Sequence, residues 1–440
     1  MAGCSPPRRP ASRRLRPWAV AAVAATAIGG CLLAGCSSAA APAAAPAQPA
    51  AVTAPLATSV AGAGGRAWAI VEMGGSAADE NNFWQVFTRP AGSTQWTLVT
   101  PPGVADNGGL VAAVAPGQGL DVAVRPSQGM TFSPLALTGD GGKTWGTGLV
   151  DASVAAAPGA LAAGGGRMLA LLGDGTIDQA AVAGSGTAAG QPTAPAGAWT
   201  RLSAPGAIAS SQPGRACQVT GLTAVSLTAS GTPLVAASCA RPGVAGIFVP
   251  AGAGAGWRLA GPALPGGVAA QRVKVVRLTQ FSASSVTAAG NSATGKRGSG
   301  TSGAATGQPV AGNMALLEAG TGSAATLLAA WTTDGTHWTV SPPLPAGNGQ
   351  VIASGAGPGA TGVWVLLSGG RAETVAGPGA AWRALPAPPS RTAVLAAGPA
   401  GGLDALAASS GTLTVFQLTA AGAWRETQTL SVPVQYGSSG

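Results

Sequence analysis

Few side chains in this 440-residue chain could make or break a bond. His337 is the sole histidine and Tyr436 the sole tyrosine, the latter four residues from the end. One imidazole, set in the turn-like segment Thr332-Thr333-Asp334-Gly335-Thr336-His337-Trp338, leaves a Ser-His-Asp relay or a histidine-rich metal site with nowhere to form. Asp174 and Asp178 have the look of a carboxylate pair for acid–base work, yet Gly173-Asp174-Gly175-Thr176 reads as a hairpin turn. No G-x-x-x-x-G-K-S/T run is present to cradle a phosphate, and Gly164-Gly165-Gly166 reads as a turn before a strand at Met168. No catalytic, cofactor-binding or metal-ligating residue is therefore assigned, and no cofactor is expected.

Cysteine is the remaining reactive type. Arg8, Arg9, Arg13, Arg14 and Arg16 precede an apolar run at 18–33, and small residues then surround a thiol in Leu33-Ala34-Gly35-Cys36. This resembles the bacterial lipoprotein signal, in which a peptidase cuts before the cysteine whose thiol carries diacylglycerol. The matching residue is Cys36. An uncleaved transmembrane helix is the competing reading, since the run nearly reaches the roughly 18 residues that suggest a span. Gly29, Gly30 and the small-residue cleavage site favour the signal. Ser12-Arg13-Arg14 raises twin-arginine export, whereas Leu15, Arg16 and Pro17 depart from its usual continuation, so that route and the general one both stay open. The expected location is extracytoplasmic, lipid-anchored to the cell membrane.

Removing residues 1–35 takes away five arginines and no acid, which lowers the formal charge from +9 to +4. With 8% charged residues and no basic block beyond the signal, nothing supports a nucleic-acid partner. Arg272, Lys274 and Arg277 are the densest basic cluster, and their alternation with Val273, Val275 and Val276 predicts the solvated face of a strand. Cys4 and Cys31 leave with the signal, so Cys217 and Cys239 remain as a pair. They flank apolar stretches at 222–227 and 233–237 joined by a turn at Ser230-Gly231, and a disulfide across neighbouring strands is expected in an oxidising compartment; two buried free thiols are the alternative.

The elements that would position these groups follow from composition. Residues 36–55 are nearly all Ala, Pro and Ser, and they predict a disordered tether of polyproline-II character. A folded part is expected over 56–434, with a short tail at 435–440. In the folded part, tryptophan recurs just after a small-residue turn and just before a short segment that usually ends in proline. The series is Trp96, Trp145, Trp199, Trp257, Trp338, Trp382 and Trp424, at spacings of 49, 54, 58, 81, 44 and 42 residues. Such intervals suit a four-stranded sheet per repeat, and seven tryptophans predict seven blades.

Upstream of each lies a short apolar run, at 67–71, 120–124, 168–172, 234–237, 363–367 and 403–407, with a weaker one at 286–289. Five apolar residues bounded by glycine fit strands buried on both faces. The 70 glycines and 35 prolines suit many tight turns and serve helices poorly. The expectation is an all-β fold, a seven-bladed β-propeller of four-stranded antiparallel blades. The long interval contains Gly290 to Asn313, a Gly/Ser/Thr/Ala tract read as an insertion between the second and third strands of blade five, overhanging the mouth of the propeller; 184–197 is a similar low-complexity stretch.

Thr138-Gly139-Asp140-Gly141-Gly142-Lys143-Thr144-Trp145 fits S/T-x-D-x-G-x-T-W at every position, and Thr332, Asp334, Gly335 and Trp338 mark a second copy one residue shorter. This pattern resembles the Asp-box, or BNR repeat, of sialidase-like propellers, which also occurs in photosystem-assembly-factor-like propellers and bacterial surface proteins. The resemblance implies a structural role for Thr138, Asp140, Gly142, Thr144, Trp145 and their counterparts, in a turn between third and fourth strands away from the functional mouth. It also implies what to look for in a sialidase: a tyrosine nucleophile with a glutamate, an arginine triad and an F/Y-R-I-P segment. Tyr436 lies in a Tyr-Gly-Ser-Ser-Gly tail, and Phe87-Thr88-Arg89-Pro90, on a predicted outer strand, matches that segment only superficially.

The function expected is thus a monomeric, membrane-tethered binding or scaffolding module of the cell envelope without catalysis, its partner a protein or glycan. The alternatives are a divergent glycan-acting enzyme of the sialidase superfamily and an assembly factor for a membrane complex.

Overall fold

A computed structural model describes residues 50–52, 58–61, 65–73, 83–102, 110–114, 119–125, 131–182, 198–252, 256–283, 310–357, 361–409 and 411–433. Cys36, the signal, most of the Ala/Pro-rich segment, the 184–197 stretch and the tail lie outside the described residues.

The described strands fall into seven successive four-stranded antiparallel meanders, at 58–98, 110–150, 161–203, 219–259, 273–340, 351–385 and 394–431, here numbered repeats one to seven. The first strands of repeats one to five lie side by side in succession, as do those of repeats six and seven, and Val394–Ala397 of repeat seven lies against Thr58–Ala61 of repeat one. The fold is nearly all β and of β-propeller type. Two short helices, Ala207–Ser210 and Gln212–Cys217, connect repeats three and four. Among the described residues no helix is long and apolar enough to cross a membrane.

The pattern of burial explains the sequence pattern. Second strands such as Ala67–Met73, Leu120–Val124 and Val363–Leu367 are covered on both faces by adjacent sheets, which is why they read as continuous apolar runs. The core lies between sheets and is filled mainly by Ala, Val and Leu. Fourth strands are the outer edges. All but the last are five residues or shorter, and the last, Trp424–Ser431, is polar on its exposed positions, which limits unwanted edge pairing.

Two pairs of repeats merge into larger sheets. Thr58 and Ser59 reach across to pair in parallel with Ser354 and Gly355 of repeat six. Ser238 and Cys239 of repeat four pair with Lys274 and Val273 of repeat five, and an added strand, Leu344–Gly347, pairs with the third strand of repeat five.

Three expectations need correction. The 286–289 run lies outside the described residues, and the second strand of repeat five is Val310–Ala319, paired along its length with Val273–Ala283. The tract from Gly290 therefore falls between first and second strands, and its last four residues, up to Asn313, belong to the second strand. In an antiparallel meander the first-to-second and third-to-fourth connections share one end of the sheet. The second strand of repeat five therefore begins at the end opposite the repeat-to-repeat connections.

Docking also begins before residue 56. Val52 N–H donates to the Leu222 carbonyl at 2.7 Å, and Ala51 forms a parallel bridge with Leu222. Gly221 makes room for this contact: a Cβ there would meet the Val52 side chain at 2.6 Å and the Ala50 carbonyl at 2.8 Å. Finally, Phe83–Arg89 is a third strand buried at all seven positions, because repeats two and seven pack on its two faces, and is not an outer strand.

Candidate binding site

The residues singled out by the turn pattern sit between third and fourth strands. Asp140 Oδ1 accepts from the backbone N–H groups of Lys143 and Thr144 at 3.0 and 3.1 Å and from Thr138 Oγ1, while Oδ2 accepts from Thr144 Oγ1 at 2.7 Å. Burial raises the Asp140 carboxyl, but the hydrogen bonds from Thr144, Thr138 and Lys143 outweigh it and hold it at about 2. Gly142, at φ 86°, approaches repeat one so closely that a Cβ would lie 2.7 Å from that of Val99. Asp334 repeats the arrangement, with His337 in place of the second threonine; hydrogen bonds from His337 and Thr336 hold it well below the usual carboxylate range. Both carboxylates are consumed in tying their own turns.

The seven tryptophans occupy one structural position, at the start of or directly before each fourth strand. Four indole N–H groups reach the preceding repeat just beyond its fourth strand or at that strand's end. Trp199 donates to Leu149 O, Trp338 to Ala260 O, Trp382 to Pro342 O and Trp424 to Pro386 O, at 2.7–3.2 Å. Two of these acceptors, Pro342 and Pro386, are prolines, which have no N–H of their own to pair. Trp96 differs: it is fully buried and donates to Asp404 Oδ2.

Cys217 and Cys239 form a disulfide, joining the end of the helix Gln212–Cys217 to the end of the second strand of repeat four. Cys239 borders a cavity of about 520 Å³ between repeats four, five and six, lined among others by Ser238, Arg272, Lys274, Glu318, Thr321 and Gln350. Second strands end here and first strands begin, so this is the end carrying the repeat-to-repeat connections. Residues 50–52 dock at the same end, against Leu222 and the turn carbonyl of Gly173. Lys274 lies in one row between Ser238 and Glu318 across the joined sheets. Among the described residues, Arg272, Lys274 and Glu318 make no ion pair. The buried Ser238 Oγ has no hydrogen-bond partner. Two cations, one carboxylate and several neutral donors make a pocket suited to a ligand with an anionic group.

The basic cluster read from the sequence does not form one solvated face. Pairing shifts between Val275 and Arg277, where Val276 is a β-bulge residue. The extra residue turns Arg277 inward, leaving Arg272 exposed and Lys274 half-buried at the pocket. Arg277 is 2% exposed and reaches over the axis to the first strands of repeats one and six. Its Nη1 donates to Thr58 Oγ1 and, at 2.8 Å, to Ser354 O; its Nη2 donates to Ser59 O at 3.1 Å. Burial lowers its pKa to about 10, so it stays charged at neutral pH. Arg89 is likewise buried, bound to Ala397 O at 2.8 Å and paired with Asp404.

Among the described residues no nucleophile–base pair is brought together. Asp174 is tied to Thr176 at 2.8 and 3.0 Å as a turn residue, His337 is 91% exposed at the end opposite the pocket, and no metal-binding cluster occurs among the described residues. Sequence reasoning missed Ser238, Glu318 and Gln350, which come from three repeats, and misplaced Arg277, because a bulge leaves no local signature.

No protein-family description matches the chain, and no curated protein matches it. Solved structures similar to it include a GH74 xyloglucanase from Xanthomonas campestris (TM-score 0.49, 14% identity), covering 84% of this chain and 53% of the other. The chain thus spans about half the xyloglucanase's length. Others are the periplasmic gluconolactonase of Pseudomonas aeruginosa (0.44, 13%, 82% and 96% coverage) and YCF48 from Cyanidioschyzon merolae (0.37, 12%, 84% and 94%). These neighbours are propeller proteins.

Proposed function

We propose that this chain is a lipid-anchored, extracytoplasmic seven-bladed propeller of the Asp-box type, acting as a non-catalytic binding module in the cell envelope. The observation that carries the binding reading is the cavity between repeats four, five and six, with Arg272 and Lys274 at its wall and Ser238 Oγ left without a partner. A pocket with two uncommitted cations recognises an anionic group, such as a carboxylate, presented by a protein or glycan partner.

Leu33-Ala34-Gly35-Cys36 supports the anchor, and the Cys217–Cys239 disulfide is in keeping with an oxidising compartment. The seven meanders support the blade number.

The test is affinity capture from detergent-solubilised membranes with the full-length chain and its Arg272→Glu, Lys274→Glu double variant. A partner recovered with the native chain and lost with the variant supports the reading. Identical recoveries overturn it. A Cys36→Ser chain that still partitions with membranes would separately remove the anchor.

A further inference from the structure

A second site lies deeper, on the axis. The first strands of repeats three, four and five line a partly open cavity of about 20 Å³, bordered by Ala162, Ser226, Arg277, Thr279 and Gln280 among others. That is room for a single water-sized species or small ion. Arg277 supplies its only charge. The two Nη atoms are committed to Thr58, Ser59 and Ser354, whereas the buried Nε has no hydrogen-bond partner.

Among the described residues no carboxylate pairs with this guanidinium, whose acceptors there are two carbonyls and a hydroxyl, and burial lowers its pKa. A buried cation with only neutral partners is destabilising unless a counter-charge accompanies it. Ser226 and Gln280 add polar groups to the same wall, although the Ser226 hydroxyl is engaged with Asn313 Oδ1 and the Gln280 amide with Leu227 O.

We propose that the axial cavity beside Arg277 is a binding site for one small monovalent anion of the halide class, received by the Nε–H of Arg277. The anion neutralises the one guanidinium that ties repeat five to the crossing of repeats one and six, and so stabilises the closed ring. The site is independent of the pocket carrying Arg272 and Lys274, and its test does not depend on the partner's identity.

Thermal unfolding of the mature chain is followed at fixed ionic strength in sodium chloride, sodium bromide and sodium gluconate, the last too bulky for the cavity. Chloride and bromide raise Tm above gluconate by about 2–3 °C. The increment disappears in Arg277→Met. Should that variant fail to fold, anomalous diffraction from a bromide-soaked crystal of the native chain decides the matter. A peak within hydrogen-bond reach of Arg277 Nε supports the site. No peak there, or equal Tm in all three salts, overturns it and leaves water as the occupant.

Discussion

The indole Nε1 of Trp96 donates to Oδ2 of Asp404 at 2.9 Å, across the seam where the last repeat meets the first. Arg89 Nε lies 3.5 Å from the same oxygen, and the Gln428 amide pairs with both backbone groups of Trp96, at 2.8 and 2.9 Å. Ring closure at this seam is thus a buried polar clasp of four residues drawn from both ends of the folded chain.

Asp404→Ala leaves Arg89 charged and buried without its partner, and is expected to cost about 3–5 kcal/mol. Trp96→Phe leaves Asp404 Oδ2 with Arg89 alone and costs about 1–3 kcal/mol. Because the two side chains share one bond, the double variant should be less destabilised than the sum of the singles. Denaturant midpoints measure all three. Strict additivity would mean that the clasp does not act as a unit.

Stability should fall as pH rises from about 4 to 7. Burial raises the Asp121 carboxyl to about 7 and Asp404 to about 6, the latter against Trp96 and Arg89, which favour the charged form. Both groups bind a proton more tightly folded than unfolded, so their contribution is fully present below the unfolded value near 3.9 and is lost through the folded value. For Asp121 this amounts to roughly 2–4 kcal/mol. Asp140 has the opposite sign: its stabilisation is present above the unfolded value and is lost as pH falls towards about 2. Asp121→Asn should flatten the decline and raise Tm at pH 7.5. An unchanged slope in a Tm–pH series would remove Asp121 as its source.

The Thr138–Trp145 turn should govern stability and leave binding alone. Gly142→Ala forces a side chain onto Val99 at φ 86°, whereas Gly139→Ala meets nothing within 4 Å. The first should cost roughly 1–3 kcal/mol and the second well under 1. Asp140→Ala should lower Tm while partner capture by the folded variant persists. Loss of capture without loss of stability would transfer function to this turn.

Replacing Cys217 and Cys239 together by serine removes a cross-link with a sequence separation of 22 and should cost roughly 3 kcal/mol. Both cysteines are almost fully buried, so reductant added to the native protein should act only as fast as the chain opens. Rapid reduction by dithiothreitol in native buffer would contradict that burial.

Much of the architecture was readable because each repeat writes its signal locally. A turn, a tryptophan and an apolar run recur within some 45 residues, so the phase of the strands could be taken from spacing alone, and the cysteine pair followed from elimination. Repeat five broke the reading. Its second strand lies beyond the low-complexity tract, and the weaker 286–289 run stood in its place.

The sequence by itself determined the all-β class, the repeat phase, the carboxylates that tie their own turns and the disulfide partners, since each depends on residues near in the chain or on a count. Only the tertiary structure decided which basic residues line the pocket and which one enters the axis, where residues 50–52 dock, and that Trp96 meets Asp404 from 308 residues away. Those outcomes depend on a one-residue bulge and on the closing of the ring, and side-chain direction in a strand inverts with a single inserted residue whatever the side chains themselves prefer.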